Sequence, residues 1–191
     1  ETKMKAGYIK LEVFVYNDPG GNLYDSYRLP VSTLYFLDDE FIEQVPFVSD
    51  TTGIPPFAYI REGKFAPLNG LAEKKELLTF YPLSENRFGA VFVDMPVPFY
   101  EKREELPDTS FNGYNYRRVR IVSPEDYSVF YIHQTDTVLP FSLSLQFDRD
   151  YHGVLNRIDT YEIKNDRFIS LRMQVNQGIP ELIYSTLNLH D

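Results

Sequence analysis

Between Tyr127 and Val175 the chain carries its densest two-residue alternation, and that pattern limits the fold more than any other feature. Residues 129–133 (VFYIH) read as a strand. After TDTVLP, the run 141–147 (FSLSLQF) alternates Phe141, Leu143, Leu145 and Phe147 with Ser142, Ser144 and Gln146, the period expected of a strand buried on one face. Beyond the DRDYHG loop, residues 154–163 and 167–175 form two more strands, joined by Lys164, Asn165 and Asp166, a connection suited to a hairpin. In the last strand Ile169, Leu171, Met173 and Val175 point one way, and Phe168, Ser170, Arg172 and Gln174 the other.

Upstream the same grammar recurs. Residues 8–16 place Ile9, Leu11, Val13 and Val15 on one face, with Lys10 and Glu12 on the wet one. NDPGGN at 17–22 predicts a reversal, with Leu23 to Leu29 pairing back and Pro30 ending or offsetting the ladder, because proline has no N–H to donate. Residues 33–48 read as strand, acidic turn, strand, or as a short helix over 38–45; strands are favoured. DTTGIPP (50–56) is a loop, while 57–61 and 64–68 form a hairpin about Glu62 and Gly63. Residues 69–76 are the best helical candidate, with Asn69 as a cap. Two strands, 77–83 and 88–93, flank SENR and make another hairpin. Pro96, Pro98 and Pro107, with the charged run at 101–105, exclude a regular element between 95 and 112 and mark either a boundary between two halves or a long surface loop. Tyr114 to Val122 resumes as a strand, and 182–189 closes as a final one.

Composition supports this picture and removes several functions. The 15 Tyr and 15 Phe suit pleated, half-buried surfaces, and 191 residues suffice for a full core in one domain or two packed halves. A formal charge of -9 argues against nucleic acid, whose binding depends on clustered Lys and Arg. The absence of cysteine excludes disulfides, a thiol nucleophile and cysteine-ligated metals. No apolar run approaches the ~20 residues needed to span a bilayer as a helix. The chain begins at Glu1, which fits a removed leader or a tag-cleavage scar.

Few residues carry chemistry. Counted from Asp148, carboxylates fall at positions 1, 3 and 12 (Asp148, Asp150, Asp159) with Gly153 at 6, an echo of a calcium loop. His152 stands where Asp or Asn belongs, Asp159 replaces the bidentate Glu, and the flanks read as strands; an ordinary turn with Gly153 at positive φ is the expectation, with no metal. His133, His152 and His190 lack zinc spacing, and no serine lies in a G-x-S-x-G context. Carboxylate pairs for glycoside hydrolysis are numerous and unassignable. The strand from Tyr114 to Val122 is the best binding candidate: Tyr114, Tyr116, Arg118 and Arg120 share one face, and rings with guanidinium groups can stack on sugars or hold acidic partners. The plainer alternative is a solvated sheet face whose arginines pair with the abundant Asp and Glu.

The stretches LPF at 139–141, GVLNRIDTY at 153–161 and DRFISLR at 166–172 resemble a family of uncharacterised Bacteroidetes lipoproteins, a domain of unknown function of about this size. The resemblance covers roughly residues 127–175. It implies a signal peptide and a lipidated cysteine ahead of Glu1, a periplasmic or cell-surface address, and contact with membrane only through that anchor. It implies no activity. At fold level the strand order is also similar to lipoprotein carriers, whose half-open barrel shelters acyl chains. The fold expected is mainly β, an antiparallel, strongly curved sheet or open barrel with one or two short helices. The function expected is non-enzymatic binding of a ligand or protein partner, without a cofactor; a hydrolase acting on glycans or esters and an apolar-ligand carrier are the alternatives.

Overall fold

The computed structural model describes residues 2–16, 26–46, 53–71, 77–85, 89–90, 92 and 96–188, with the backbone alone at 26, 27 and 30. In chain order its elements are β1 (Thr2–Lys3), β2 (Ala6–Tyr16), β3 (Ser26–Leu37), β4 (Glu40–Gln44), β5 (Phe57–Arg61), β6 (Lys64–Leu68), β7 (Tyr81–Pro82), β8 (Glu104–Phe111), β9 (Tyr114–Val122), β10 (Asp126–Gln134), β11 (Thr137–Val138), α1 (Leu145–Tyr151), β12 (Gly153–Glu162), β13 (Arg167–Asn176) and α2 (Glu181–Leu187). The protein is mainly β and antiparallel, as its alternation predicts. No sheet among the described residues is closed or strongly curled.

The chain divides into two compact units, one built from residues 1–3, 12–29 and 94–173, the other from 4–11, 30–93 and 174–191. In the first, the strand order is β2, β13, β12, β10, β9, β8. Register sets its two faces. Phe130 pairs with Val119 on β9 and Ile158 on β12, and Ile132 pairs with Leu155 beyond a bulge at Tyr131/Ile132. These apolar residues face α1, whose Phe147 stacks on Phe130 at 4.5 Å between ring centroids and on Tyr151 at 5.8 Å. The opposite face carries the alternate residues, and is described below. In the second unit the order is β7, β6, β5, β4, β3, β2, and α2 packs Ile183 and Leu187 against Ile42, Tyr59 and Leu68.

Several expectations fail for identifiable reasons. Residues 141–147 do not form a strand: Ser144 caps α1, its side chain accepting from the Phe147 N–H. The competing signal is Phe147 and Tyr151, four apart and both buried, whereas Leu145, which a half-buried strand would cover, is exposed. The tail is likewise helix α2 rather than a strand, begun at Pro180 with Ile183 and Leu187 at the same spacing. Between 95 and 112 a strand, β8, does form. It lies last in its ladder, and its register shifts between Leu106 and Thr109, so Pro107 stands at an irregularity where no N–H is missed. Finally, β3 runs on through position 30, so Pro30 does not end the strand, and the strand read at 77–83 is reduced to the two residues of β7, which pair with β6. The turn at 17–22, positions 72–76 of the helix read at 69–76, residues 50–52 of the loop, and positions 88, 91 and 93 of the second strand after SENR lie outside the described residues, as does His190. Glu12, assigned to the wet face, is buried and ion-paired with Arg28.

At the end of α1 it is His152, with φ 51°, that takes the left-handed conformation, and not Gly153. Gly153 is required for a different reason: a Cβ there would come within 2.4 Å of the His133 carbonyl oxygen and 2.9 Å of Ile132 Cγ2. Because a backbone atom cannot swing aside, Gly153→Ala should cost about 1–3 kcal/mol, in the range of overpacked cores. His152→Gly should cost nothing, since it relieves a strained φ. Urea titration of both variants checks the pair; equal losses would refute the close-approach argument.

Candidate functional site

The site grows from the polar face of the first unit, where the alternate residues of six strands converge. The pairings Tyr131 with Arg118, Tyr131 with Arg157, and Arg157 with Arg172 put Arg118, Tyr131, Arg157 and Arg172 in one transverse row across β9, β10, β12 and β13. Arg157 is the strut of this row. Its Nε and Nη2 donate to Asp159 Oδ1 and Oδ2 at 2.8 and 2.7 Å, the two-pronged geometry that two residues on one face of a strand allow. Its guanidinium lies 4.9 Å from the Tyr131 ring centroid and 5.7 Å from that of Phe111. Ser170 donates to Asp159 Oδ1 at 2.6 Å, so Asp159, only 7% exposed, accepts three hydrogen bonds. Arg172 donates in turn to Ser170 Oγ (3.0 Å) and Tyr16 Oη (3.3 Å), and lies 4.3 Å over Phe14.

Toward β8 the face turns aromatic. Phe111 stacks on Tyr116 with centroids 4.0 Å apart, and His133 packs against both Tyr116 and Tyr114. Burial pushes the His133 pKa down and favours the neutral ring. Burial and the Asp159 charge push the Tyr131 hydroxyl up, so it stays protonated. For Arg157, burial opposes the charge but the Asp159 hydrogen bond and charge outweigh it.

Of the four residues singled out in sequence, all lie on this face, in different circumstances. Tyr114 is 53% exposed at the rim and Tyr116 is 5% exposed beneath Phe111. Arg118 gives its Nε to the Pro107 carbonyl at 2.8 Å. Arg120 is ion-paired with Glu104, and its buried Nε has no hydrogen-bond partner among the described residues. Sequence reasoning missed Arg157 and Arg172, although Asp159 two residues after Arg157 and Ser170 two before Arg172 were the available signal; what it lacked was register.

The other candidates are engaged elsewhere. Asp148 and Asp150 stand on α1, not in a loop: Asp148 accepts from the Leu155 N–H at 2.7 Å and Asp150 from Tyr100 Oη at 2.9 Å. Burial raises the Asp148 pKa, whereas the Tyr100 hydrogen bond lowers that of Asp150. No group of three His, Asp or Glu among the described residues is disposed to hold a metal ion. In the second unit Glu43 is fully buried, accepting from Ser32 Oγ at 2.6 Å and from the Ala90 N–H, with Oε2 unpartnered among the described residues. Burial raises its pKa, against the lowering effect of both hydrogen bonds.

No protein-family model matches the chain, and no curated protein matches it.

Two measurements test this electrostatic account. Asp159→Asn leaves the half-buried Arg157 without a counter-charge and should cost about 2–4 kcal/mol, a little below the range for breaking a fully buried pair because Arg157 keeps some contact with water. Glu104→Gln, which breaks an exposed pair, should change stability by no more than about 0.5 kcal/mol. For Glu43, the folded pKa is raised above its ordinary 4.5, so the folded state holds the proton more tightly than the unfolded one. Wild-type stability therefore falls as pH rises from about 4.5 through the raised folded pKa. Glu43→Gln should lack that fall, so the variant gains on wild type across the same window. A stability difference that is constant from pH 4 to 8 would contradict it.

Proposed function

We propose that the protein is a non-catalytic binding protein whose ligand surface is the polar face of the first unit, with Tyr114 and Tyr116 at its aromatic end and Arg118, Arg157 and Arg172 across its middle. The observation that carries this is that the guanidinium groups there are held in place while the carboxylate among them is consumed. Asp159 accepts three hydrogen bonds and is only 7% exposed, so it is engaged in holding Arg157 and Ser170. Arg172 is held by neutral hydroxyls and a ring. Such a face can hold a molecule without transforming it. Arg120, paired with Glu104, contributes less than its position in the alternation suggests.

The resemblance to lipoproteins adds a lipid anchor ahead of Glu1 and a periplasmic or cell-surface address to the same proposal. The carrier alternative depends on a curved or half-open barrel around an apolar ligand, and nothing among the described residues favours that shape over an open face. The hydrolase alternative depends on a free carboxylate pair, and the three carboxylates singled out by their spacing, Asp148, Asp150 and Asp159, lend it no support because each has a partner.

A thermal-shift screen of charged and neutral small molecules, followed by hydrogen exchange with each hit, tests the proposal. Hits should protect amides of β9, β10 and β12 and leave those of α2 unchanged, and glycoside and ester substrates should not be turned over. Protection confined to the second unit, or measurable hydrolysis lost in a carboxylate variant, would overturn it.

A further inference from the structure

We infer that the ligand of this face is a short linear dianion, its two carboxylate or phosphate groups held by Arg118 at one end of the row and Arg172 at the other. The inference rests on the binding role proposed above and adds the ligand's chemistry to it.

Three observations point to charge rather than to sugar stacking. First, the ring faces are already occupied: Arg157 covers Tyr131 and Phe111, Arg172 covers Phe14, and Phe111 and Tyr116 cover each other. Along the row itself a pyranose meets little free aromatic surface, and the exposed ring of Tyr114 lies at the rim. Second, the row holds three guanidiniums, and the one carboxylate bonded to them serves Arg157 alone. Arg118 and Arg172 donate to a backbone carbonyl, a serine and a tyrosine, and none of these cancels a positive charge. Guanidinium forks with spare N–H groups match carboxylate and phosphate oxygens, and partial burial strengthens the attraction. Third, Arg118 and Arg172 are three strands apart in register, which sets their backbones about 14 Å from each other at roughly 4.8 Å per strand spacing.

The protein's charge of -9 disfavours a long polyanion. A long polyanion is repelled by the chain's net negative charge in proportion to its own, whereas a molecule with two anionic ends sets two charges against the two uncancelled arginines. The Arg157–Asp159 pair between them is neutral as a unit and tolerates an uncharged spacer.

Calorimetric titration of the intact chain with linear α,ω-dicarboxylates and bisphosphates of increasing length, each beside its mono-anion and its neutral diamide, tests the inference. The two arms identify the preferred anion. Affinity should pass through a maximum with length, and the mono-anion and diamide should each bind at least about tenfold more weakly than the best dianion, since a charged hydrogen-bond partner is lost. Arg118→Gln and Arg172→Gln should each cost about tenfold and abolish the length dependence. Arg118→Lys and Arg172→Lys keep the charge and guard against misfolding; they should recover part of the affinity. Arg149→Gln, on the exposed side of α1, should change nothing. Equal binding of the neutral diamides at this face would overturn the dianion while leaving the binding role intact. Preference for a long polymer over every short dianion would overturn it too. Failure of every dianion to bind at millimolar concentration would refute the inference, and failure of every molecule in the wider screen to protect the face would refute both.

Discussion

The polar face of the first unit depends on one ion pair inside a single strand. Arg157 and Asp159 are two residues apart on β12, so the pleat aims both side chains the same way, and the forked guanidinium closes on the carboxylate. Bringing two charges out of water costs several kcal/mol per ion, which their attraction alone does not reliably offset. The additional hydrogen bond from Ser170 and the two rings under Arg157 supply the rest. Ser170 is then held as acceptor for Arg172, which reaches Tyr16. One pair thereby fixes side chains from β2, β10, β12 and β13, and its disruption would spread along the network.

The opposite face obeys different physics. There Val119, Ile121, Phe130, Ile132 and Leu155 bury apolar surface against Phe147 and Tyr151 of α1, and the charged groups, Asp148 on the Leu155 N–H and Arg103 on the Tyr151 hydroxyl, serve its polar atoms. A helix on one side is what leaves the other side free to carry arginines. Gly153 belongs to this arrangement: the chain leaves α1 and enters β12 against the carbonyl of His133 with no room for a methyl group. The left-handed His152 makes that sharp exit possible, at a local cost that the packing of Phe147 and Tyr151 outweighs.

Alternation made most strands legible. Residues 8–16, 57–61, 64–68, 114–122, 129–133, 154–163 and 167–175 all fall in strands close to the bounds their patterning implies. Period alone misled at 141–147, because FSLSLQF followed by DRDY supports both a two-residue and a four-residue reading, and the cap at Ser144 with burial of Phe147 and Tyr151 decided for the helix. Pro107 misled in the other direction: a proline forbids a regular ladder only where its N–H is needed, and at a shifted register on the last strand it is not. The Asn112–Gly113 pair, both with positive φ, was the hairpin signal that outweighed the prolines. For the site, one strand's face was readable, which brought out Tyr114, Tyr116, Arg118 and Arg120. The row was not, because which residue of β10 lies beside Arg118, and which of β12 beyond it, depends on ladder register and on a bulge at Tyr131/Ile132 that alternation does not encode.

The way the arginines are held also bears on how such a face would recognise a ligand. A free arginine loses considerable side-chain entropy when it closes on an anion. Arg172 has already lost it, fixed by Ser170, Tyr16 and the ring of Phe14 without surrendering its charge to a carboxylate. Arg118 is anchored through Nε to a backbone carbonyl, a bond that leaves its charge uncancelled and its terminal N–H groups as further donors. Arg120 shows the contrast: on the same strand and face, it is neutralised by Glu104 and has little left to offer an anion. Preorganised charge at two points, separated by a neutral pair, favours a ligand by spacing as well as by sign, because a molecule that satisfies only one end leaves the other guanidinium partly desolvated and unpaired.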